Sequence, residues 1–209
     1  MSLIEKLNWR YATKKFDKTK KLNPSQLEEL LHAVHLSPSA TGVQSYKILV
    51  IEDAGTRAKL QQAAYGQAQI ADASQLIVFA AETILDAQYV KNFIDHVAKT
   101  RGIERSSLEG YEQMISGNIS RMSEEQRIAW AKEQAHIALG VLVTSAAELG
   151  IDACPMGGFS APQFDEILGL KEKGLTTAVI AAIGFRAEDD AYSKLNKVRK
   201  PEEEMFIHI

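Results

Sequence analysis

A single domain that mixes helices and strands, α+β or α/β in class, is what the sequence predicts. Three observations lead there. Helical stretches outnumber strand-like runs, long helical stretches separate the strands, and no repeat, low-complexity tract or Pro/Gly/Ser-rich linker divides the 209 residues. That length suits one sizeable core and is short for two. A composition 45% hydrophobic and 24% charged is that of an ordinary globular chain.

The elements follow in order. Asn23-Pro24-Ser25-Gln26 supplies an N-cap, a proline at the first helical position and a capping-box glutamine. Leu27, Leu30, Leu31 and Val34 then recur at helical spacing, and Ser37-Pro38 ends the helix because a residue before proline avoids the α region. Ser39 to Ser45 is a small-residue loop into a strand, Tyr46 to Ile51, followed by a helix from about Gly55 to Tyr65 and a strand from Leu76 to Ala81. The middle third, Asp86 to Met122, is helical but polar, with Gly102, Gly110 and Gly117 as interruptions; it reads either as a mobile excursion over a site or as a solvated helical pair. Ser123-Glu124-Glu125-Gln126 is a second capping box, opening the longest helix, which Gly150 closes after Leu149. From Ala135 to Ala147 it is apolar almost all round, so it is either the central helix of the domain or packs on a second subunit too. A strand near Ile151, a short helix from Ser160 to about Gly169 and a buried strand from Leu175 to Phe185 complete the domain. The polar tail ends in Met205-Phe206-Ile207-His208-Ile209, strand-forming residues with no hairpin partner before them.

Several chemistries are excluded. The formal net charge of −3 gives no global attraction to nucleic acid or anionic membrane. No signal peptide and no apolar run of about 18 residues is present, so a cytoplasmic location is expected. The lone Cys154 rules out an internal disulfide or a cysteine-based zinc site, and beside a buried strand it reads as a small apolar filler. Rossmann, P-loop, hydrolase-elbow and zincin motifs are all missing. His32 and His35 share a helix face without a carboxylate pair, so no metal is expected. Two basic clusters remain, Arg10 to Phe16 and Lys197 to Pro201, together with Pro155-Met156-Gly157-Gly158-Phe159 after a strand. A phosphate needs two or three convergent cationic donors, and paired glycines let backbone approach a planar ligand. Taken alone, each cluster reads as solvated surface and the glycines as a turn.

Taken together, the order and spacing of several segments carry more. They are Arg10-Tyr11-Ala12-Thr13-Lys14-Lys15-Phe16, Leu36 to Gln44, Asp72-Ala73-Ser74, Leu149 to Asp152, Pro155 to Phe159, Leu168 to Gly174 and Lys197-Val198-Arg199. With these the chain resembles, nearly end to end, the nitroreductase family of flavoproteins in its oxygen-insensitive, flavin-reductase-like branch. The resemblance implies an α+β fold: a central mixed, mainly antiparallel sheet flanked by helices, in one domain over residues 1–209, with 86–122 as a helical excursion over the active site. It also implies an intertwined homodimer whose C-terminal strand joins the partner's sheet. FMN would lie in a cleft at the dimer interface. Arg10, Lys197 and Arg199 would take its phosphate, with Tyr11 and Ala12 alongside, and Lys14 would sit at the pyrimidine edge, where negative charge gathers on reduction. Backbone from Pro155 through Met156 and Gly157 to Gly158 would hold the other side of the flavin, and Ser39, Ala40 and Thr41 would reach in from the partner. The family's usual Ser-x-Thr-Asn-x-Gln-Pro-Trp loop is here Ser39 to Tyr46 with Gly42 at the asparagine; a second asparagine is absent from Tyr65 to Gln69, leaving Gln69 as the match for the pyrimidine-edge group; and a usual Glu-Gly is Gly157-Gly158. The implied activity is an FMN-dependent oxidoreductase that uses NAD(P)H to reduce nitroaromatics, quinones or related acceptors by a ping-pong mechanism. The flavin would carry the chemistry, with no catalytic side chain. The alternative is a flavin-binding carrier or sensor with little turnover.

Overall fold

Both predicted capping boxes close as reciprocal hydrogen-bonded pairs. Asn23 Oδ1 accepts from the Gln26 amide at 2.9 Å while Gln26 Oε1 accepts from the Asn23 amide at 3.0 Å, and Ser123 and Gln126 repeat the pattern at 3.2 and 2.8 Å. They start α2 (Pro24–His35) and α7 (Glu124–Glu148) in a computed structural model that describes residues 2–209. A capping box that sequence reading passed over, Ser2 with Glu5, starts α1 (Leu3–Trp9). The remaining helices are α3 (Ala54–Ala63), α4 (Gln69–Asp72), α5 (Ala87–Arg101), α6 (Glu109–Ser120), α8 (Ala161–Leu168) and α9 (Glu202–Met205). Four strands, β1 (Tyr46–Ile51), β2 (Gln75–Glu82), β3 (Asp152–Met156) and β4 (Leu175–Gly184), form one sheet in the order β1-β2-β4-β3. All three ladders are antiparallel; one isolated parallel bridge, Ala12 to Ala153, lays the N-terminal segment along β3.

The period of two along a strand explains the layering. Ile77, Phe79, Ala181 and Ile183 face α2 and α7, while Leu76, Val78, Ile180 and Ala182 face α3, α4 and α8, so β2 and β4 are apolar at nearly every position. The middle third differs from its expectation. Gly102 does end α5, in the left-handed conformation, but Gly110 and Gly117 lie inside α6. Nor are α5 and α6 a solvated pair: Val90, Ile94, Val97, Ile115 and Ile119 form a core of their own with Leu85 and Ala131. That burial, roughly 1.5–3 kcal/mol per large side chain, outweighs about 1 kcal/mol for each interior glycine. The tail differs as well. Met205 closes α9 instead of entering a strand, because Glu202, Glu203 and Glu204 fill the first turn, where the helix dipole favours acids. Only from Phe206 is the chain extended, and Phe206 to Ile209 lie exposed. Among the described residues no helix is long and apolar enough to cross a membrane.

Gly184 ends β4 where the N-terminal segment crosses the sheet. A Cβ there would lie 2.9 Å from the Ser74 backbone nitrogen and 3.1 Å from the Phe16 ring. Gly184→Ala is therefore expected to destabilise the fold by about 1–3 kcal/mol, the usual range for overpacking. Urea denaturation measures it, and an unchanged midpoint would contradict so close a packing.

Candidate functional site

Two buried carboxylates assemble the basic residues. Asp190, 3% exposed, accepts from the Tyr11 hydroxyl at 2.8 Å and from the Lys14, Lys15 and Tyr192 amides at 2.9, 3.0 and 3.1 Å. Asp152 accepts from the Arg186 amide at 2.9 Å and its Nε at 2.8 Å. The Arg186 guanidinium in turn stacks on the rings of Trp9 and Tyr11 at 4.2 and 4.6 Å. The two acids thus fasten residues 9–15 to residues 186–192, segments from opposite ends of the chain. Neither acid was singled out from the sequence; an acid just before Tyr192 and another opening β3 look like loop residues until the fold brings them to the basic motif.

The result is a concentration of unmatched positive charge beside β3. Lys197 Nζ donates to the Arg10 carbonyl oxygen, and Arg199 lies near enough to act on the Arg10 guanidinium. Burial first, and the Arg199 charge second, draw Arg10 below the ordinary arginine value. Lys197 is lowered likewise, by burial and then by Arg10, Arg199 and Arg186. Arg10 Nε is buried with no hydrogen-bond partner. Lys15 pairs with Asp189, but Arg10, Lys14, Lys197 and Arg199 have no ion-pair partner among the described residues. Lys14 commits its amide to Asp190 and leaves its ammonium exposed, 5.9 Å from the Tyr192 ring. Tyr11 is pushed well above the ordinary tyrosine value, by burial and then by its bond to Asp190, so it stays a neutral donor. Cys154 sits in the core with Phe16 and Phe164, and burial raises its thiol; it fills space.

Pro155, Met156, Gly157 and Gly158 leave β3 next to this cluster, with Ala12 bridged to Ala153. The turn carrying Gln69 abuts the same segment: Gln67 Nε2 donates to the Gly158 carbonyl at 2.6 Å. Arg57 holds that turn from behind, donating to the carbonyls of Ile70, Ser74 and Ala73 at 2.9, 2.7 and 2.7 Å. Gln67 and Arg57 were also missed, since nothing local marks either one. Ser39, Ala40 and Thr41 are not brought to the cluster. They lead into β1, the opposite edge of the sheet, three strand spacings or about 14 Å from β3. There the Ala40 amide donates to Gln134 Oε1 at 2.8 Å and the Tyr111 hydroxyl to the Thr41 carbonyl at 2.6 Å. Thr41 and Gln44 hold left-handed φ of 52° and 45°, strain that only a well-braced loop retains. Two clefts, of about 660 and 620 Å3, also lie on this side, along α2 and the outer edge of β1, and none of the basic cluster lines them.

Comparison with known proteins bears on this arrangement. A family model described as "Nitroreductase family" matches residues 7–185. The "Putative NAD(P)H nitroreductase YfkO" of Bacillus subtilis (strain 168) is 32% identical over 198 residues, 90% of either chain. A crystal structure of "putative nitroreductase ydfN" from Bacillus subtilis superposes with a TM-score of 0.88 at 22% identity, covering 99% of this chain and 98% of that one. Another, a "putative nitroreductase in complex with FMN" from Exiguobacterium sibiricum 255-15, gives 0.84 at 19% identity over 100% and 98%.

Asp190 should carry a pH signature. Burial alone would raise its carboxyl, but the Lys15, Lys14 and Tyr192 amides and the Tyr11 hydroxyl outweigh burial and hold it below the ordinary 3.8. A depressed carboxyl stabilises the fold above its unfolded value and loses that contribution as pH falls through the folded one. Asp190→Asn should cost about 1–3 kcal/mol at pH 7. The gap to wild type should close as pH falls below 3.8. Denaturation at a series of pH values tests this, and a gap constant down to about pH 2 would contradict the depressed carboxyl.

Proposed function

The chain belongs to the nitroreductase family, and from that premise we propose that it is an FMN-dependent oxidoreductase working as a homodimer. In this reading NAD(P)H is the donor and nitroaromatics, quinones or related compounds are the acceptors, in a ping-pong cycle. The observation that carries the reading is the buried, unpartnered Nε of Arg10 beside Arg199 and Lys197, three cations with no ion-pair partner among the described residues. Such a group costs stability unless an anion completes it, and a phosphate monoester, with oxygens on three sides, fits three converging donors.

The residues around the cluster fit the rest of FMN. Tyr11 and Ala12 would flank the phosphate, and Lys14, its backbone fixed by Asp190 and its ammonium free, would meet the pyrimidine edge together with Gln69. The backbone from Pro155 to Gly158, half of it glycine, would lie against the ring system. When bound, FMN accepts and returns the hydride, so the protein needs no nucleophile or base of its own. The exposed positive charge of Lys14 would favour any negative charge gathering at that edge.

A second copy completes the site. Ser39, Ala40 and Thr41 sit at the wrong edge of the sheet to meet their own Arg10, so the strained Thr41 loop would serve the partner's flavin. Three features support such a dimer. Ile137 on α7 is 43% exposed with Val141 beside it only half-buried, the outer edge of β1 has no strand against it, and Phe206 to Ile209 have no cover in their own chain. Within the dimer, α5 and α6 would overhang the flavin through Tyr111 and Thr41.

Sedimentation of the purified protein, read at the flavin band, with steady-state NAD(P)H oxidation in parallel, tests the proposal. A yellow dimer that turns over a nitroaromatic or quinone is expected. A colourless protein would overturn it, and a yellow one without turnover would assign a carrier or sensor instead.

A further inference from the structure

Beside Thr41 lies a small cavity of about 230 Å3 between α5 and α6. An apolar cavity of about 150 Å3 already admits benzene, so this one has room for a single substituted ring. Phe93 and Tyr111 line it as an edge-to-face pair, with centroids 6.2 Å apart and planes at 63°. The Tyr111 hydroxyl is committed to the Thr41 carbonyl, which leaves its ring as an apolar wall. On the same cavity stand two basic side chains, His96 and Arg101.

The surrounding charges make those two distinctive. Arg105 bonds Asp95 at 2.6 Å and Glu112 at 2.8 Å, and Lys91 reaches Asp95 at 3.5 Å. Asp95 and Glu112 are therefore already paired, while Arg101 and His96 have no ion-pair partner among the described residues. We propose that the cavity receives the ring of the electron acceptor and that Arg101, with His96 beside it, selects acceptors bearing a carboxylate or similar anionic group on that ring. The proposal rests on the reading above, in which Thr41 faces the flavin bound by the partner. It adds the substrate class: planar aromatic acids over their neutral analogues. Arginine suits this task, since its planar fork meets a carboxylate with two parallel donors and stays charged at any working pH.

A matched pair of probes, 4-nitrobenzoate and its neutral methyl ester, tests it. Each nitro group would take two electrons and two protons from NAD(P)H and solvent, giving the nitroso compound and water. Calorimetric titration of the oxidised holoprotein measures binding without turnover. Wild type should bind the acid more tightly than the ester. Arg101→Gln should weaken the acid about fivefold or more and leave the ester within about twofold, the range for one partly solvated charge contact. In turnover the loss should appear in KM for the acid with kcat little changed. An unchanged acid-to-ester ratio in Arg101→Gln would overturn the proposal while the parent reading stood. If Arg101→Gln weakened NADPH but not NADH and left the acid unaffected, Arg101 would belong to the dinucleotide's 2′-phosphate, and that would overturn it too. No turnover of either probe by wild type that still reduced a quinone would overturn this proposal alone, and no turnover of probe or quinone would overturn it together with the parent reading.

Discussion

Asp190 and Asp152 hold together what would otherwise fly apart. Arg10, Lys197 and Arg199 are like charges gathered in one place: burial and then the Arg199 charge lower Arg10, and burial and then Arg10 and Arg199 lower Lys197. The network that tolerates this is made of hydrogen bonds to acids placed just behind the cluster. Four donors converge on Asp190 and the guanidinium of Arg186 on Asp152, and the bonds from Tyr11, Lys14 and Lys15 to Asp190 span 175 to 179 residues of sequence. The acids neutralise backbone dipoles and Arg186 and leave the outward-facing cations alone. The positive charge at the edge of β3 is thus a structural property, braced from within and open to an incoming anion.

The order of the strands supplies a second constraint. With β3 and β1 at opposite edges, the Ser39–Thr41 loop lies away from the basic cluster of its own chain. The strained Thr41 and Gln44 then lie far from any group their own subunit gives them to serve. The proposed dimer would resolve both facts at once: it would bring one edge to the other and cover the apolar stripe on α7 and the tail.

How much of this was legible in the sequence depends on how local the signal was. Capping boxes at Asn23 and Ser123 and the apolar runs of β1, β2 and β4 were readable because caps and strand patterns act within a few residues. The interior glycines of α6 were misjudged because their penalty is local, whereas the core against Val90 and Ile94 that overrides it is not. Met205 was expected in a strand from its apolar neighbours, yet the three glutamates before it wind a helical turn. At the candidate site, Arg10, Lys197 and Arg199 were named from their spacing within a family pattern, and the fold does bring Arg10, Lys197 and Arg199 together. Asp190, Asp152, Gln67 and Arg57 were given no role, since each acts on partners that only the fold brings near, which leave no trace in spacing.

The central claim is that the three cations at the edge of β3 are a phosphate site. It is tested most directly by titrating flavin-stripped protein with FMN and with riboflavin, which has the same ring system and no phosphate. Two or three charge-assisted hydrogen bonds at about 1.5–3 kcal/mol each predict that FMN binds at least about 100-fold more tightly. In Arg199→Ala that gap should narrow, with riboflavin affinity unchanged. Equal affinities for the two flavins would show that the cations hold nothing, and would contradict the account at its root.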